Sequence, residues 1–144
     1  MTDEKRNRLQ NLTMLKKNES NYPQSPEETT LETFTNLYPE RDYIITFNCP
    51  EFTALCPVTG QPDFGKITIR YIADKTCIES KSLKMFLFSF RNHNSFHEEV
   101  VNMILSEIEQ ACSPRWCEVE GDFMPRGGIA LNIKASCGKK NIIS

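Results

Sequence analysis

The chain has 144 residues, of which 39% are hydrophobic and 25% are charged, as in an ordinary globular protein with room for one domain. Its formal net charge of −2 at pH 7 gives no basis for binding a nucleic-acid backbone, and no apolar run predicts a membrane span or a secretory signal. We therefore expect a cytoplasmic protein whose six cysteines are kept reduced, rather than a disulfide framework.

Residues 1–30 are predicted to form a polar tail and a connector. Met1–Ser20 mixes charges with sparse leucines, which predicts a frayed tail or a short surface helix. Asn21–Thr30 carries two prolines among polar turn formers and predicts an extended connector. The rest of the chain, residues 31–144, is predicted to be a single domain.

Two strands are predicted on either side of a segment rich in proline and glycine. Arg41–Asn48 is rich in β-branched and aromatic residues, which favour a strand. In the second strand Ile67, Ile69 and Tyr71 alternate along the chain, so we expect them to share one face. The segment between the strands, Glu51–Gly65, predicts a shaped loop.

Two helices and two further strands complete the predicted order. Ser80–Arg91 places apolar residues at helical spacing. A longer helix is predicted at about Phe96–Ala111, with Ser95 and Glu98 as its capping box. The last two strands are Trp116–Phe123 and Ile129–Ala135, joined by a Pro-Arg-Gly-Gly turn. This ββααββ order predicts an α+β fold with an antiparallel sheet, since it lacks the alternating units of a parallel sheet.

Cys56 and Asp63 are the candidate catalytic pair. Cysteine attacks as the thiolate, and an ordinary thiol, with a pKa of about 8.5, is mostly protonated near neutral pH. Catalysis would therefore require activation of the Cys56 sulfur and an acid, which a buried and protonated Asp63 would supply. Alternatively, Cys56 is a small buried residue and Asp63 a turn residue that caps its own backbone.

Other candidate binding residues each have an ordinary structural explanation as well. Glu98 either completes the helix cap or accepts paired N–H donors from a ligand. Lys81 and Lys84, with neighbouring serines at a helix start, either bind phosphate or form a solvated first turn. Arg126 is either a phosphate ligand or part of a tight turn. His97 on its own predicts only a surface or hydrogen-bonded histidine.

Four motifs occur together along the chain: FTALCPVTGQPDFG from Phe52, ESKSLKMF from Glu79, FHEE from Phe96 and PRGGI from Pro125. In order and spacing they resemble the motifs of the NADPH-dependent 7-cyano-7-deazaguanine reductases, the QueF nitrile reductases of queuosine biosynthesis, in their short single-module form. The resemblance covers residues 39 to about 135. It implies the tunnelling fold (T-fold), whose subunits assemble around a barrel, usually as two stacked pentamers, with active sites at subunit junctions.

The resemblance also implies a role for each candidate residue. Cys56 would add to the nitrile carbon to form a thioimide, while Asp63 delivers a proton to the nitrile nitrogen. Two hydrides from two NADPH would then give 7-aminomethyl-7-deazaguanine. The residues implied to bind the substrate are Ile78, Glu79, Ser80, Phe96, His97 and Glu98. Those implied to bind NADPH are Ser80, Lys81, Ser82, Lys84 and Arg126, and no metal, nucleic-acid or membrane partner is implied.

Two other functions stay open at this point. A T-fold hydrolase or cyclase acting on a pterin or purine would be expected to need a catalytic metal, although the sequence has no CxxC or HxxxH spacing. A non-catalytic purine-binding or assembly protein would bind its ligand without turnover and would tolerate loss of the Cys56 thiol.

Overall fold

The computed structural model describes residues 22–139. The tail predicted for residues 1–20 lies outside the described residues. In the predicted connector, a short 3-10 helix at Pro26–Glu28 interrupts the extended chain. It forms because Pro26 supplies a backbone angle suited to the first helical position, and the Thr29 N–H then donates to the Pro26 carbonyl at 3.2 Å.

Four long strands form one antiparallel sheet in the order β2-β3-β5-β6, and two short strands, β1 and β4, pair separately. The elements in chain order are β1 (Thr33–Thr35), β2 (Ile45–Leu55), β3 (Pro62–Ile72), β4 (Thr76–Ile78), α1 (Ser80–Phe88), α2 (His97–Cys112), β5 (Trp116–Arg126) and β6 (Ile129–Gly138). The predicted α+β fold with a ββααββ order of main elements is confirmed. The short pair was not predicted, because three residues are too few to show an alternating pattern.

Alternation along β3 decides which side of the sheet faces the helices. Ile67, Ile69 and Tyr71 are fully buried, as predicted, and Asp63 lies on the same face because it is an even number of residues away. The apolar face of α2 covers this side, where Val100 is fully buried. The helix-facing side of the sheet therefore holds both the core and, at one end, a carboxylate.

The connection around Cys56 is shorter than the loop predicted for residues 51–65. Glu51–Leu55 continues β2, and Pro62 begins β3, so only residues 56–61 join the two strands. Pairing of β2 with β3 is irregular between Cys49 and Phe52. Pro62 is accommodated as the first residue of β3, so only Pro57 and Gly60 lie in the connection, and the prediction of a loop over residues 51–65 was wrong.

Helix α2 begins one residue later than the predicted capping box requires. Its N-cap is Phe96, whose N–H donates to the Glu99 carboxylate at 3.2 Å, so the prediction of Ser95 with Glu98 was wrong by one residue. Ser95 is instead buried, and its N–H donates to the Leu55 carbonyl at 3.0 Å. Glu98 is left exposed in the first turn with no capping role for its carboxylate.

The first helix and the last two strands are confirmed, but they end at other residues than predicted. α1 stops at Phe88, and the strands β5 and β6 extend to Arg126 and Gly138, beyond their predicted ends. The hairpin between them turns at Gly127 and Gly128, with φ of 58° and 80°. Two successive left-handed residues are what a tight two-residue hairpin requires, so the predicted turn is confirmed.

Candidate active site

The end of β2 and the start of α2 are joined by backbone hydrogen bonds. The Leu55 N–H donates to the His93 carbonyl at 3.2 Å, and the Leu55 carbonyl accepts from the Ser95 N–H at 3.0 Å. Cys56 follows Leu55 directly, and His97 begins α2. These bonds therefore bring the start of α2 to the end of the sheet that carries Cys56.

Asp63 lies at the same end, buried to 6% exposure because the alternation of β3 turns it toward the helices. His97 Nε2 is 3.2 Å from Asp63 Oδ2, and Arg126 Nε is 3.0 Å from Asp63 Oδ1. Arg126 also donates from Nη2 to the Pro62 carbonyl at 2.7 Å. The carboxylate is thus held between α2 and the end of β5. The contact between Arg126 and Asp63 was not predicted, because no local sequence pattern links residues so far apart in the chain.

His97 is fixed by an aromatic ring as well as by Asp63. Its imidazole stacks on Phe123, with ring centroids 4.0 Å apart and planes within 9°. Although Nε2 lies close to the Asp63 carboxylate, it is buried without a well-formed hydrogen bond to any described residue. A buried polar atom left in this way is costly, so Asp63 Oδ2, at 3.2 Å, is the group that compensates Nε2 within the described residues.

Two glycines make room for the Phe123 ring that supports His97. A Cβ on Gly65 would lie 2.8 Å from Phe123 Cδ1 and 2.9 Å from the Asp122 carbonyl oxygen. A Cβ on Gly121 would lie 2.7 Å from Phe123 Cε2. Both distances are shorter than a carbon contact allows, so any side chain at either position must displace the ring.

We expect Gly65→Ala to destabilise the protein by about 1–3 kcal/mol and to shift the imidazole of His97. Denaturant unfolding measures the stability, and the histidine resonances in an NMR spectrum report the ring position. Thr68→Ala, on the opposite face of the same strand, is the control and should change stability by less than about 1 kcal/mol. Unchanged stability and unchanged His97 resonances in Gly65→Ala would contradict this account of the packing.

Cys56 lies in a turn closed by two backbone hydrogen bonds. The Cys56 N–H donates to the Gln61 carbonyl at 2.9 Å, and the Gly60 N–H donates to the Cys56 carbonyl at 2.8 Å. Hydrogen bonds from the Thr59 side chain, and then from the backbone N–H groups of Thr59 and Val58, lower the pKa of the Cys56 thiol. The turn therefore stabilises a thiolate on Cys56.

The environment of Cys56 differs from that of the buried cysteines. Burial raises the pKa of Cys112 to about 11, and it also raises the pKa of Cys49, Cys117 and Cys137. All six cysteines are free thiols. Because the thiolate is the nucleophilic form, Cys56 is better suited to attack an electrophile than these four residues.

Phe96 and Glu98 flank His97 in the sequence and are both exposed. Phe96 is 51% exposed at the N-cap of α2. Glu98 follows His97 in the first helical turn, where only its backbone carbonyl is occupied, accepting from Asn102 Nδ2 at 2.9 Å. An aromatic ring and a carboxylate therefore lie next to the Asp63–His97 contact.

The remaining predicted binding residues lie at the start of α1, where Glu79 is the N-cap. Its carboxylate accepts from the Lys81 N–H and the Ser82 N–H, both at 2.7 Å. These backbone N–H groups at the start of the helix were candidates for binding a phosphate. They already have an anionic partner within the chain, and both Glu79 oxygens are occupied by them.

Ser82 and Ile78 belong to the core around that helix start. Ser82 is 1% exposed, and its hydroxyl accepts from the Glu32 N–H at 2.9 Å and donates to the Glu79 carbonyl at 2.8 Å. Ile78 is buried, and its N–H donates to the Tyr71 hydroxyl at 2.9 Å. The hydroxyl of Ser82 is thus engaged within the chain.

A groove of about 380 Å³ lies between β2 and α1. Its polar lining residues are Ser80, Lys84 and Arg91 on the helix side and Asn48, Glu51 and Thr53 on β2. Lys81 is exposed nearby on the first turn of the helix. The apolar lining from α1 consists of Leu83, Leu87 and Phe88, and residues 47–53 of β2 form the other wall. The groove combines two cationic side chains, Lys84 and Arg91, and one carboxylate, Glu51, with an apolar floor.

The α1 group and the Cys56 group are separated within one chain. Ser80 starts α1, and the chain after the end of α1 leads to His93, which bonds to Leu55 beside Cys56. The nine residues of α1 span about 13 Å. Ile78, Glu79 and Ser80 are therefore not brought together with Cys56 in the single chain.

Within residues 22–139, no group of three or more His, Cys, Asp or Glu side chains is placed to hold a metal ion. In the same part of the chain, no helix has the length and apolar character needed to cross a membrane.

Comparison with solved structures supports the T-fold. The crystal structure of the archaeosine synthase QueF-Like in the apo form matches with a TM-score of 0.63, covering 67% of this chain and 94% of that one at 19% identity. At this identity the likeness concerns the fold alone. Together with the observed order of elements, it confirms the fold that the motifs implied.

Sequence comparison is more specific. Proteins named NADPH-dependent 7-cyano-7-deazaguanine reductase are 49% identical in Bacillus licheniformis and 48% identical in Bacillus subtilis, each over 96% of this chain and 84% of the relative. One from Neisseria gonorrhoeae is 50% identical over 91% of this chain and 83% of the relative. The family model described as QueF-like protein matches residues 62–142, more than half of the chain. This chain therefore belongs to the QueF-like protein family.

Proposed function

We propose that this protein is an NADPH-dependent reductase that converts 7-cyano-7-deazaguanine into 7-aminomethyl-7-deazaguanine for queuosine biosynthesis. Relatives of about 50% identity carry the name of this activity. The structural observation that carries the proposal is the juxtaposition of Cys56, whose pKa is lowered, with the buried Asp63 and with His97. A nitrile needs these groups: a nucleophile for its carbon and a proton donor for its nitrogen.

In the first step the Cys56 thiolate adds to the nitrile carbon. One C–N π bond breaks as the C–S bond forms, and the electron pair moves to nitrogen, which takes a proton. Asp63 is the proposed donor because it lies at the same end of the sheet, and His97 adjoins its Oδ2 and provides a route for reprotonation. The product is a covalent thioimide on Cys56.

We propose that Glu98 and Phe96 orient the deazapurine. The Glu98 carboxylate is exposed and has no capping role, so both oxygens can accept hydrogen bonds from the N–H groups of a guanine-like edge. The exposed ring of Phe96 offers a surface on which a base can stack.

The residues around α1 fit the chemistry of NADPH, which when bound supplies the hydrides for this four-electron reduction. Lys81 and Lys84 are cations for its phosphates, and Ser80 adds a hydroxyl to the groove. We propose that Ser82, which the resemblance includes, supports this site from inside the core, because its hydroxyl is engaged there. Arg126 is proposed to bind a phosphate of NADPH, and its guanidinium also adjoins the Asp63 carboxylate.

We expect Lys84→Gln to raise the KM for NADPH about 5- to 20-fold while changing kcat less than about twofold, because it removes one charge-assisted contact. Lys75→Gln, an exposed lysine outside the groove, is the control and should change neither constant. Steady-state kinetics at two salt concentrations measure KM and kcat. The KM for NADPH should depend less on salt in Lys84→Gln than in the wild type. Identical KM values for Lys84→Gln and Lys75→Gln would remove Lys84 from the cofactor site.

We further propose that the active form is a homo-oligomer, a decamer of two pentamers, in which Ile78, Glu79 and Ser80 of one subunit complete the pocket of the next. Two observations support assembly. The strands at both edges of the sheet, β2 and β6, are long and have no partner strand within the described residues, and an exposed edge favours pairing with another chain. In addition, α1 separates these residues from Cys56 within one subunit. Native mass spectrometry would test the subunit number.

We place the catalytic unit in the single domain from residue 31 onward and the protein in the cytoplasm, where NADPH is present and a nucleophilic thiol stays reduced. The direct partners proposed are the deazapurine nitrile, NADPH and further copies of the chain.

The function is tested with purified protein under reducing conditions by following NADPH oxidation with and without 7-cyano-7-deazaguanine. We expect oxidation that depends on the nitrile, two NADPH consumed per amine, and a product with the mass of the primary amine. Folded, assembled protein that binds the nitrile without oxidation or adduct would overturn the proposal in favour of a binding protein. Stoichiometric metal in the purified protein, with hydrolysis or cyclisation of a purine or pterin, would instead favour the cyclohydrolase alternative.

A further inference from the structure

Two grooves meet at Arg91, which follows the end of α1. The groove of about 380 Å³ between β2 and α1 is lined in part by residues 50–53 and by Arg91. The same residues also line a second groove of about 640 Å³, whose other walls are residues 64–66 of β3 and residues 122–125 of β5. Because the two linings overlap in this way, the grooves adjoin and Arg91 lies where they meet.

The guanidinium of Arg91 is oriented by an aromatic ring. Its central carbon lies 5.0 Å from the centroid of the Phe88 ring, and the Arg91 N–H donates to the Phe88 carbonyl at 3.0 Å. Arg70 and Arg126 each adjoin a carboxylate, but no carboxylate within residues 22–139 lies at ion-pair distance from Arg91. The Arg91 side chain is therefore stacked in place while its donors have no partner among the described residues.

The charges that line the grooves leave a cationic surplus beside Arg91. In the first groove, Lys84 and Arg91 lie with one carboxylate, Glu51. In the second groove, Lys66 and Asp122 are register partners on β3 and β5 and are opposite in charge. An anion bound in the first groove therefore meets more positive than negative charge.

We propose that Arg91 determines cofactor specificity by binding the 2′-phosphate of NADPH, the group that distinguishes NADPH from NADH. This role rests on the proposed function, in which the start of α1 binds the same cofactor. A terminal phosphate carries a charge of about −1.5 to −2 at pH 7 and presents three acceptor oxygens, which the planar fork of an arginine binds in pairs. The pyrophosphate, which both dinucleotides contain, suits the point charges of the lysines.

The spacing along α1 suits the two phosphate positions of the cofactor. Lys84 and Phe88 lie about one turn apart on the helix, a rise of about 6 Å, and Arg91 lies over Phe88. The 2′-phosphate and the pyrophosphate are attached to the same ribose, at its 2′ and 5′ oxygens. One ribose in the groove can therefore direct its 2′-phosphate to Arg91 and its pyrophosphate to Lys84.

The test measures binding of NADPH and of NADH to full-length, assembled protein by calorimetry without nitrile, so that binding is observed apart from turnover. Arg91→Gln should weaken NADPH binding about 10- to 50-fold and NADH binding less than about twofold. Arg91→Lys keeps the charge without the planar fork and should recover only part of the NADPH affinity. Lys84→Gln should weaken both dinucleotides by a similar factor, because both contain the pyrophosphate.

Arg41→Gln is the matched control. The Arg41 guanidinium also lies over an aromatic ring, 4.7 Å from the centroid of Tyr38, but Arg41 lines neither groove. This variant should bind both dinucleotides as the wild type does.

The proposal is overturned if Arg91→Gln weakens both dinucleotides equally or leaves both unchanged, or if wild-type protein shows no preference for NADPH. If Arg91→Gln removes that preference but wild-type protein does not reduce the nitrile, the proposed function fails while the 2′-phosphate site is supported. Nitrile reduction by the wild type, with the preference for NADPH retained in Arg91→Gln, supports the proposed function and removes Arg91 from the site.

Discussion

Cys56→Ala is expected to lower turnover of 7-cyano-7-deazaguanine by at least about 10,000-fold, because the variant has no atom that can form the covalent bond to the nitrile carbon. Mass spectrometry after incubation with the nitrile, without NADPH, should show wild-type protein heavier by one substrate and the variant unchanged. Binding of the nitrile, measured by calorimetry, should weaken less than about tenfold, since the proposed contacts of Glu98 and His97 are intact. Loss of turnover with binding retained separates the nucleophile from a purely structural cysteine.

Cys137→Ala is the matched control for this experiment. The Cys137 thiol is partly buried on the edge strand β6, and burial raises its pKa, so it should neither form the adduct nor affect turnover beyond a modest loss of stability. Turnover by Cys56→Ala above about one per cent of wild type would contradict the proposed mechanism.

Asp63→Asn is expected to lower kcat by about 100- to 10,000-fold, the usual contribution of a positioned acid. Asparagine keeps the shape of the side chain but has no carboxyl proton to deliver to the nitrile nitrogen. The addition step should therefore slow, and a time course of Cys56 adduct formation without NADPH would measure it directly. Alkylation of Cys56 by iodoacetamide needs no proton donor, so it should not slow, because Asp63 disfavours the thiolate.

Loss of stability should not explain the effect of Asp63→Asn. The Arg126 side chain that pairs with Asp63 is 41% exposed, so solvent screens the pair and its loss should cost no more than about 1 kcal/mol. Asp122→Asn replaces a neighbouring exposed carboxylate of β5 and should leave kcat within about twofold of wild type. An Asp63→Asn enzyme within fivefold of wild type would show that the proton comes from another group.

The main elements of the fold could be predicted because each has a repeating pattern. Ile67, Ile69 and Tyr71 alternate along β3, and Val100 and Ile104 lie one helical turn apart in α2. The errors occurred where a single residue was given too much weight. Pro57, Gly60 and Pro62 suggested a long loop, although Pro62 is accommodated as the first residue of β3. The motif Ser95-x-x-Glu98 suggested a helix cap, but the hydrogen bonds to Leu55 accompany an N-cap one residue later, at Phe96.

The candidate site could likewise be predicted only in part. The chemical character of Cys56, Asp63 and His97 is evident from residue type and motif, and so are the cations of α1. The contacts around these groups are not evident from the sequence: Arg126 adjoins Asp63, and Phe123 stacks on His97, only because β5 pairs with β3 and α2 packs over both.

Local order therefore determined the family and the α+β order, and it singled out the proposed nucleophile and acid, because periodicity and motif are properties of neighbouring residues. Tertiary structure alone decided which groups meet. It buried Asp63 beside His97 and Arg126, left Glu98 exposed, and placed Ile78–Ser80 at a distance from Cys56, because strand pairing and helix packing set burial and distance between residues far apart in the chain.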